Sequence, residues 1–194
     1  MGKRRLIGKI VILMLGLAAV VILAANSDTI PVSTPKKGYR VVIDPGHGGS
    51  DCGAVGVSGV KEAGLNLAVS LYLKEELEAL GIEAILTRSD ERALAEGKKA
   101  DMAARGKIMN GEGVDLVVSV HMNKFTDPSV HGPMAFYMKG SAEGEKLAKT
   151  VIDSITDELG APRRIANPGD YYVIRESMPV SAVSYTHLTL PTIL

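Results

Sequence analysis

The sequence has no tryptophan, only two phenylalanines and a single cysteine. This scarcity of aromatic side chains argues against a stacking platform for nucleic-acid bases and against a broad aromatic sugar-binding cleft. Because Cys52 has no second cysteine to pair with, no internal disulfide can form, and the chain must be held together by burial. The 22 basic and 22 acidic residues cancel, so the charge balance indicates no polyanionic partner, and nucleic acid is not expected.

The N-terminal region has the charge and hydropathy pattern of a targeting segment. Four basic residues at positions 3, 4, 5 and 9 precede an apolar run over residues 10–25. The run is longer than the usual core of a secretory signal and short for a spanning helix, so residues 1–27 are interpreted as a signal peptide or a membrane anchor. The basic cluster on one side argues against a buried core helix and predicts that the rest of the chain lies outside the cytoplasm.

A polar, proline-containing stretch over residues 28–38 is typical of a linker, and the folded pattern starts at Tyr39. Short apolar runs predict strands at residues 40–43, 82–87, 115–120 and 135–138. Apolar residues at helical spacing predict helices at residues 65–80 and 141–159, each followed by glycine, and residues 101–110 are predicted to be helical as well.

Strands that alternate with helices predict an α/β fold. We expect a single domain over residues 39–182, built on a mostly parallel, twisted sheet with helices on both faces.

Two histidines follow strands of this predicted sheet. His47 stands in the sequence DPGHGG after the first strand, and His121 follows the third. Ligands of such sheets bind beyond the carboxyl ends of the strands, and a catalytic zinc needs three protein ligands and an open position for water. Glu62 follows a glycine-rich segment that can fold it back toward His47 as the third ligand. Such a site would activate water and polarise a carbonyl, which the hydrolysis of an amide bond requires.

Each of these residues also has a plainer interpretation. A histidine at a strand end is often a surface residue, and Glu62 would suit a helix N-terminus through the macrodipole. The glycines can simply form turns. The glycine-rich loop could instead hold an anion in a small-molecule binding protein, although it lacks the P-loop ending and the dinucleotide-binding spacing. From the residues alone, these alternatives stay open.

Several motifs in order carry a more specific signal. Residues 41–49 (VVIDPGHGG) and 51–54 (DCGA) resemble the opening motif of the type 3 N-acetylmuramoyl-L-alanine amidases. Residues 59–67 (GVKEAGLNL) resemble the second motif, and residues 119–123 (SVHMN) resemble the third. Residues 87–90 and 105–110 match the middle section of the family. The resemblance covers residues 39–178, and the layout is similar to that of anchored spore-cortex and cell-wall amidases.

The resemblance implies a zinc-dependent hydrolase that cuts the amide bond between N-acetylmuramic acid and L-alanine in peptidoglycan. It implies Zn²⁺ as the cofactor, with His47, Glu62 and His121 as metal ligands. Asn123, beside the last ligand, is the expected substrate contact. Arg88 and Arg105 are expected to pair with nearby carboxylates, and His131 is expected to face solvent.

The family pattern breaks near the C-terminus. The family has a catalytic Glu, the general acid/base, in a strand that would follow Pro179, whereas residues 183–192 read VSYTHLTLPT. These ten residues match one reading frame of a common transposase sequencing adapter. Residues 183–194 are therefore interpreted as a non-native, adapter-derived tail in which His187 is not a ligand. Glu176 comes too early to be the missing acid/base.

We therefore expect an incomplete catalytic domain that lacks its catalytic Glu, its last strand and the covering helix. Such a chain should fold poorly, bind zinc weakly and have impaired activity. The alternative is a non-catalytic peptidoglycan-binding module of the same fold, and a Glu in the strand after Pro179 would favour the enzyme.

Overall fold

The computed structural model describes residues 38–56, 59–123, 132–162 and 164–186. The predicted signal or anchor segment, the linker up to residue 37, His131 and residues 187–194 of the predicted tail lie outside these ranges. Among the helices within these ranges, none is both long enough and apolar enough to cross a membrane.

Strands and helices alternate along the described chain. The strands are β1 Arg40–Pro45, β2 Glu83–Leu86, β3 Leu116–Met122, β4 Met134–Met138, β5 Asn167–Gly169 and β6 Val180–Thr186. The helices are α1 Glu62–Ala79, α2 Lys98–Met109, α3 Ala142–Leu159 and α4 Tyr172–Glu176. The four predicted strands and three predicted helices are confirmed with shifts of a few residues at their ends. The short elements β5 and α4 were not predicted.

The ends of the two long helices follow from local sequence. After α1, Gly81 adopts a left-handed conformation with φ 77°, and the Gly81 and Ile82 amides donate to the carbonyls of Glu78 and Leu77. This arrangement is a Schellman motif, which favours glycine at the left-handed position. At the start of α3, the Ser141 hydroxyl accepts a hydrogen bond from a backbone amide of the first turn, as expected of an N-cap serine.

The strands form one sheet in the order β2-β1-β3-β6-β4-β5. The first four strands in this order are parallel to one another, β4 is antiparallel to β6, and β5 is parallel to β4. A mostly parallel α/β sheet is therefore confirmed.

Two separate hydrophobic clusters cover the two faces of the sheet. On one face, α1 and α3 contribute Val69, Leu73, Leu77, Leu147, Val151 and Ile152, which pack against residues of β1, β3, β4 and β6. On the other face, Met109 of α2 and Val173 and Ile174 of α4 pack against Val42, Val117 and Val183. Helices on both faces were predicted, and both layers bury apolar side chains from alternate positions of the same strands.

The expected loss of the last strand needs a correction. Val180–Thr186 forms β6 and pairs with β3 on one side and β4 on the other, so this part of the sheet has no gap. The strand crosses the predicted boundary after residue 182. Its side chains are small, β-branched or aromatic, and residues 181–184 are buried. This composition fits a central strand, which explains why the segment forms a strand whatever its origin.

Candidate metal centre

The side chains of His47, Glu62 and His121 meet at the carboxyl ends of β1 and β3. Each offers one ligand atom, and these atoms all lie within 4.8 Å of one another. Nε2 of His47 lies 3.2 Å from Oε1 of Glu62, and Nδ1 of His121 lies 3.0 Å from the same oxygen. The structure therefore brings together the three residues that the sequence predicted as metal ligands.

His47 lies in a tight loop directly after β1. Its backbone is left-handed, with φ 63°, a conformation that is costly for a residue with a side chain and that occurs often at functional sites. A reciprocal pair of backbone hydrogen bonds between Gly48 and Asp51 closes the loop. The Asp51 carboxylate lies 2.9 Å from Nδ1 of His47, so the two imidazole nitrogens contact two different carboxylates. The hydrogen bond with Glu62 is the main reason that the pKa of His47 is raised, and Asp51 raises it further.

Glu62 is the first residue of α1, and it is buried. Its Oε2 accepts a hydrogen bond from the Ala54 amide at 2.8 Å, and its Oε1 accepts one from the Met122 amide at 3.1 Å. Burial alone would raise the pKa of Glu62, but the hydrogen bonds from His121, His47 and Ala54 outweigh it and hold the pKa far below its ordinary value. The side chain is therefore a carboxylate at neutral pH.

Two glycines allow these side chains to approach the backbone. A β-carbon at Gly46 would overlap with the imidazole ring of His121. A β-carbon at Gly53 would lie 2.6 Å from Oε2 of Glu62 and 2.7 Å from Cδ2 of His47, and its φ of 64° also favours glycine. The glycines at these two positions are therefore required by close approach to the ligand side chains, in addition to any role in turns.

Two buried arginines hold the loop that carries His47. Arg105 is 2% exposed and donates to the carbonyls of Pro45 and His47 at 2.7 and 2.6 Å. Arg88 donates to the carbonyls of Pro45, Gly46 and Ala63. Backbone carbonyls buried at a loop need such donors, because water cannot reach them.

The prediction that these arginines pair with carboxylates is confirmed for Arg105, which binds Asp44 and Asp101, each at 2.8 Å. Arg88 instead donates its hydrogen bonds to main-chain carbonyl oxygens. Burial alone would raise the pKa of Asp44, but the Arg105 charge and hydrogen bonds from Thr87 and Ser119 outweigh it, and the pKa is lowered.

A cleft of about 960 Å³ opens beside the histidines. His47 and His121 line it together with Lys98, Tyr171 and Tyr185. The Asn123 side chain, predicted to contact substrate, donates to the sulfur of Met134 at 3.2 Å, and its predicted contact with substrate stays a prediction.

Comparison with known proteins identifies the family. Residues 41–192 match the family model described as N-acetylmuramoyl-L-alanine amidase (Amidase_3). The chain belongs to this family. It is 31% identical over 177 residues to the germination-specific N-acetylmuramoyl-L-alanine amidase of Bacillus subtilis, covering 86% of this chain and 74% of that protein.

Solved structures of amidases have the same fold. The catalytic domain of CwlV, an N-acetylmuramoyl-L-alanine amidase from Bacillus (Paenibacillus) polymyxa var. colistinus, is similar with a TM-score of 0.65 and 28% identity, over 76% of this chain and 79% of that one. The CwlD amidase from Clostridioides difficile, solved in complex with the GerS lipoprotein, has a TM-score of 0.70 at 24% identity, over 77% and 82% of the two chains.

In this amidase, β6 presents an aromatic ring to the histidines. Tyr185 is the register partner of His121 in the pairing of β3 with β6, and the two rings stack with centroids 5.1 Å apart. The strand, VSAVSYT, contains no Asp or Glu. Glu176 lies at the end of α4, where it pairs with Arg175.

Sequence reasoning missed two residues that support the candidate ligands. Asp51 belongs to the opening motif and Asn66 to the second motif, and the motifs alone indicate no role for either residue. The Asn66 side chain is fully buried and donates to the Gly46 carbonyl at 3.1 Å and to Oε1 of Glu62 at 3.4 Å. A signal existed for Asn66, which lies one helical turn after Glu62. Asp51 reaches His47 through the turn between Gly48 and Asp51, which helical spacing does not predict.

The alternative of an anion-binding loop loses support. The amides of Gly46, Gly48, Gly49 and Ala54 donate to acceptors within the protein, and the Gly53 amide donates to the Asp51 carboxylate. An anion cradle needs several such amides directed at the ligand, and these five are already engaged.

Proposed function

We propose that this chain belongs to the zinc-dependent enzymes that hydrolyse the amide bond between N-acetylmuramic acid and L-alanine in peptidoglycan. The observation that carries the proposal is the meeting of one carboxylate and two imidazoles, with ligand atoms within 4.8 Å, at one edge of the sheet. Membership of the amidase family supports the bond that is cut and peptidoglycan as the substrate.

The donor set fits zinc. Two imidazole nitrogens and one carboxylate oxygen are ligands that catalytic zinc uses, and three protein ligands leave a position for water. We assign the ligand roles to His47, Glu62 and His121. When bound, the ion supplies Lewis-acid activation of a water and of the scissile carbonyl.

The surrounding residues prepare these ligands. Asp51 accepts a hydrogen bond from Nδ1 of His47, so Nε2, which faces Glu62, is the nitrogen that would bind the metal. The Ala54 and Met122 amides and the Asn66 side chain hold the Glu62 carboxylate in place. The cleft lined by both histidines admits the substrate, and Asn123, two residues after His121, is proposed as a substrate contact.

We further propose that this chain is a weak catalyst. Amide hydrolysis needs a general acid/base to give a proton to the departing nitrogen, and its loss reduces the rate by about 10²- to 10⁴-fold. The strand next to the ligands has Ser184 and Tyr185 at its carboxyl end and no carboxylate. We attribute this to a non-native segment over residues 183–194, which leaves the catalytic domain of residues 39–182 without its Glu.

The gene is first resequenced past codon 181. The experiment then compares this chain with the protein that the resequenced gene encodes. Both are incubated with purified peptidoglycan, and new N-terminal L-alanine is quantified with and without a zinc chelator. We expect chelator-sensitive release from the protein with the native C-terminus and about 10²- to 10⁴-fold less from this chain. A zinc-loaded protein with the native C-terminus that releases no L-alanine would overturn the proposal.

A second candidate function is a peptidoglycan-binding module without catalysis. It would keep the family fold and the cleft beside the histidines and use them to bind peptidoglycan without hydrolysis. The two candidates differ in the resequenced gene, because a Glu in the strand after Pro179 supports the enzyme. Sedimentation with peptidoglycan, without release of L-alanine by the protein with its native C-terminus, would favour the binding module.

We also propose that the protein acts outside the cytoplasm, either secreted or anchored in the membrane. The basic residues before the apolar run over residues 10–25 support this orientation, and a peptidoglycan substrate requires it. Fractionation of cells that express the full chain tests the point, and protein confined to the cytoplasm would contradict it.

A further inference from the structure

Three of the six tyrosines of this chain lie at one wall of the cleft. Tyr171, Tyr172 and Tyr185 line it beside His121. The ring of Tyr185 lies 5.1 Å from that of His121, and the ring of Tyr171 lies 5.8 Å from that of Tyr185. The low aromatic content of the sequence therefore does not prevent a local aromatic surface next to the candidate metal ligands.

The Tyr171 ring is held on one side and accessible on another. Phe136 packs against it edge-on, with centroids 5.0 Å apart and the planes at 69°. Gly169 brings the backbone of β5 against the ring, since a β-carbon there would lie 3.0 Å from Cδ2 and Cε2 of Tyr171. The residue nevertheless keeps 38% of its surface exposed. A ring fixed by its neighbours loses little conformational entropy when a ligand stacks on it.

We propose that Tyr171 forms the wall of a sugar-binding subsite, on which the pyranose ring of the N-acetylmuramoyl group stacks while its amide lies at the metal ligands. A pyranose ring with equatorial substituents presents axial C–H groups on its two faces, and these faces are apolar enough to pack on an aromatic ring. The inference rests on the proposed function, because the sugar is part of that substrate.

The position of Tyr171 matches the chemistry of the substrate. The lactyl group joins the sugar ring directly to the scissile amide, so the sugar must lie close to the metal ligands. Tyr171 lines the same cleft as His47 and His121. Asp170 and Arg175, which pair at 2.8 Å, line the same part of the cleft and offer polar groups to the sugar hydroxyls.

The experiment measures equilibrium binding of two ligands to the zinc-loaded full chain by calorimetry. One is N-acetylmuramoyl-L-alanyl-D-isoglutamine, and the other is N-lactoyl-L-alanyl-D-isoglutamine, which has the same amide without the sugar. The variants are Tyr171→Ala and Tyr171→Phe. Tyr72→Ala is the matched control, because Tyr72 is a half-buried tyrosine on α1, which packs on the opposite face of the sheet.

We expect the unaltered chain to bind the muramoyl ligand more tightly than the lactoyl ligand. Tyr171→Ala should weaken binding of the muramoyl ligand by about 3- to 10-fold, the size of a stacking contact, and leave the lactoyl ligand unchanged. Tyr171→Phe, which keeps the ring, should bind like the unaltered chain, and so should the control.

Equal binding of the two ligands by the unaltered chain would overturn the subsite and leave the proposed function standing. The subsite would also be overturned if Tyr171→Ala bound the muramoyl ligand normally, or if it weakened both ligands equally, which would indicate a structural role. Failure of the unaltered chain to bind either ligand would overturn the proposed function and the subsite together.

Discussion

Oδ2 of Asp51 lies 2.9 Å from Nδ1 of His47, while Nε2 of the same imidazole lies 3.2 Å from Glu62. The carboxylate at Nδ1 holds the proton on that nitrogen, so Nε2, which faces Glu62, is the nitrogen that would give up its proton to bind a metal. Asp51 is half-exposed, so a substitution there should leave the core intact.

Replacing this carboxylate with an amide should therefore weaken metal binding. We expect Asp51→Asn to raise the dissociation constant for Zn²⁺ by about 10- to 100-fold, as loss of such an outer partner does in other zinc sites. Competition with a chromophoric chelator measures the constant. Asp90→Asn is the control, because the Asp90 carboxylate pairs with exposed Arg92. Equal affinities for the two variants would show that Asp51 does not support the site.

The close approach of His121 to Gly46 gives a steric test of the site. Gly46→Ala should push the imidazole away and weaken zinc binding by about tenfold or more. Gly64→Ala is the matched control, because a β-carbon at Gly64 in α1 meets nothing within 4 Å. That substitution should stabilise the helix by up to about 1 kcal/mol and leave zinc affinity unchanged. Normal zinc binding by folded Gly46→Ala protein would contradict the geometry.

The buried pair of Asp44 and Arg105 should make stability depend on pH. Asp44→Asn leaves a buried guanidinium without one of its carboxylates, and we expect a loss of about 3 kcal/mol in the free energy of unfolding at pH 7. The folded-state pKa of Asp44 is lowered from 3.8. Its contribution is therefore complete above pH 3.8 and is lost as the pH falls below that value.

Urea unfolding of the unaltered chain and of Asp44→Asn, from neutral pH to below pH 3.8, measures the free energy of unfolding of each. The difference in the free energy of unfolding between the unaltered chain and Asp44→Asn should stay constant near neutral pH and become smaller in acid. For the exposed pair of Arg40 and Glu83, Glu83→Gln should cost no more than about 1 kcal/mol. If Asp44→Asn lost as little stability as Glu83→Gln, the stabilising role of the buried pair of Asp44 and Arg105 would be contradicted.

Two buried serines provide a matched pair. The Ser184 hydroxyl has no hydrogen-bond partner among the described residues, so Ser184→Ala should stabilise the chain by about 1 kcal/mol. The Ser119 hydroxyl donates to the Asp44 carboxylate at 2.8 Å, and Ser119→Ala should destabilise it by about 1.5–3 kcal/mol. Chemical denaturation ranks the two variants. The reverse order would mean that the hydrogen-bond assignments in β3 and β6 are wrong.

Much of the fold could be predicted because its elements carry local signals. Apolar runs marked β1 and β3, and Gly81 and Gly160 marked the ends of two helices. His47 and His121 could be placed together because both follow parallel strands, whose carboxyl ends lie at one edge of the sheet. Glu62 could be placed at the same edge, because a glycine-rich loop can return the chain to it after His47.

The rest depends on contacts that no local pattern reveals. β5 has three residues and α4 has five, too few for a periodic signal. The insertion of β6 between β3 and β4 brings Tyr185 beside His121 and Tyr171, a result of strand order over distant parts of the chain. The hydrogen bonds that Arg88 and Arg105 donate to the Pro45 carbonyl also join distant parts of the chain.

Zinc content is the most direct test of the central claim, that His47, Glu62 and His121 hold one metal ion together. The purified chain and the variants His47→Ala, Glu62→Gln and His121→Ala are dialysed against trace zinc and analysed by mass spectrometry, with His131→Ala as the control histidine. We predict that the unaltered chain and the control retain zinc at a common level, and that each of the three variants loses it. Retention of zinc by all three folded variants would contradict the account.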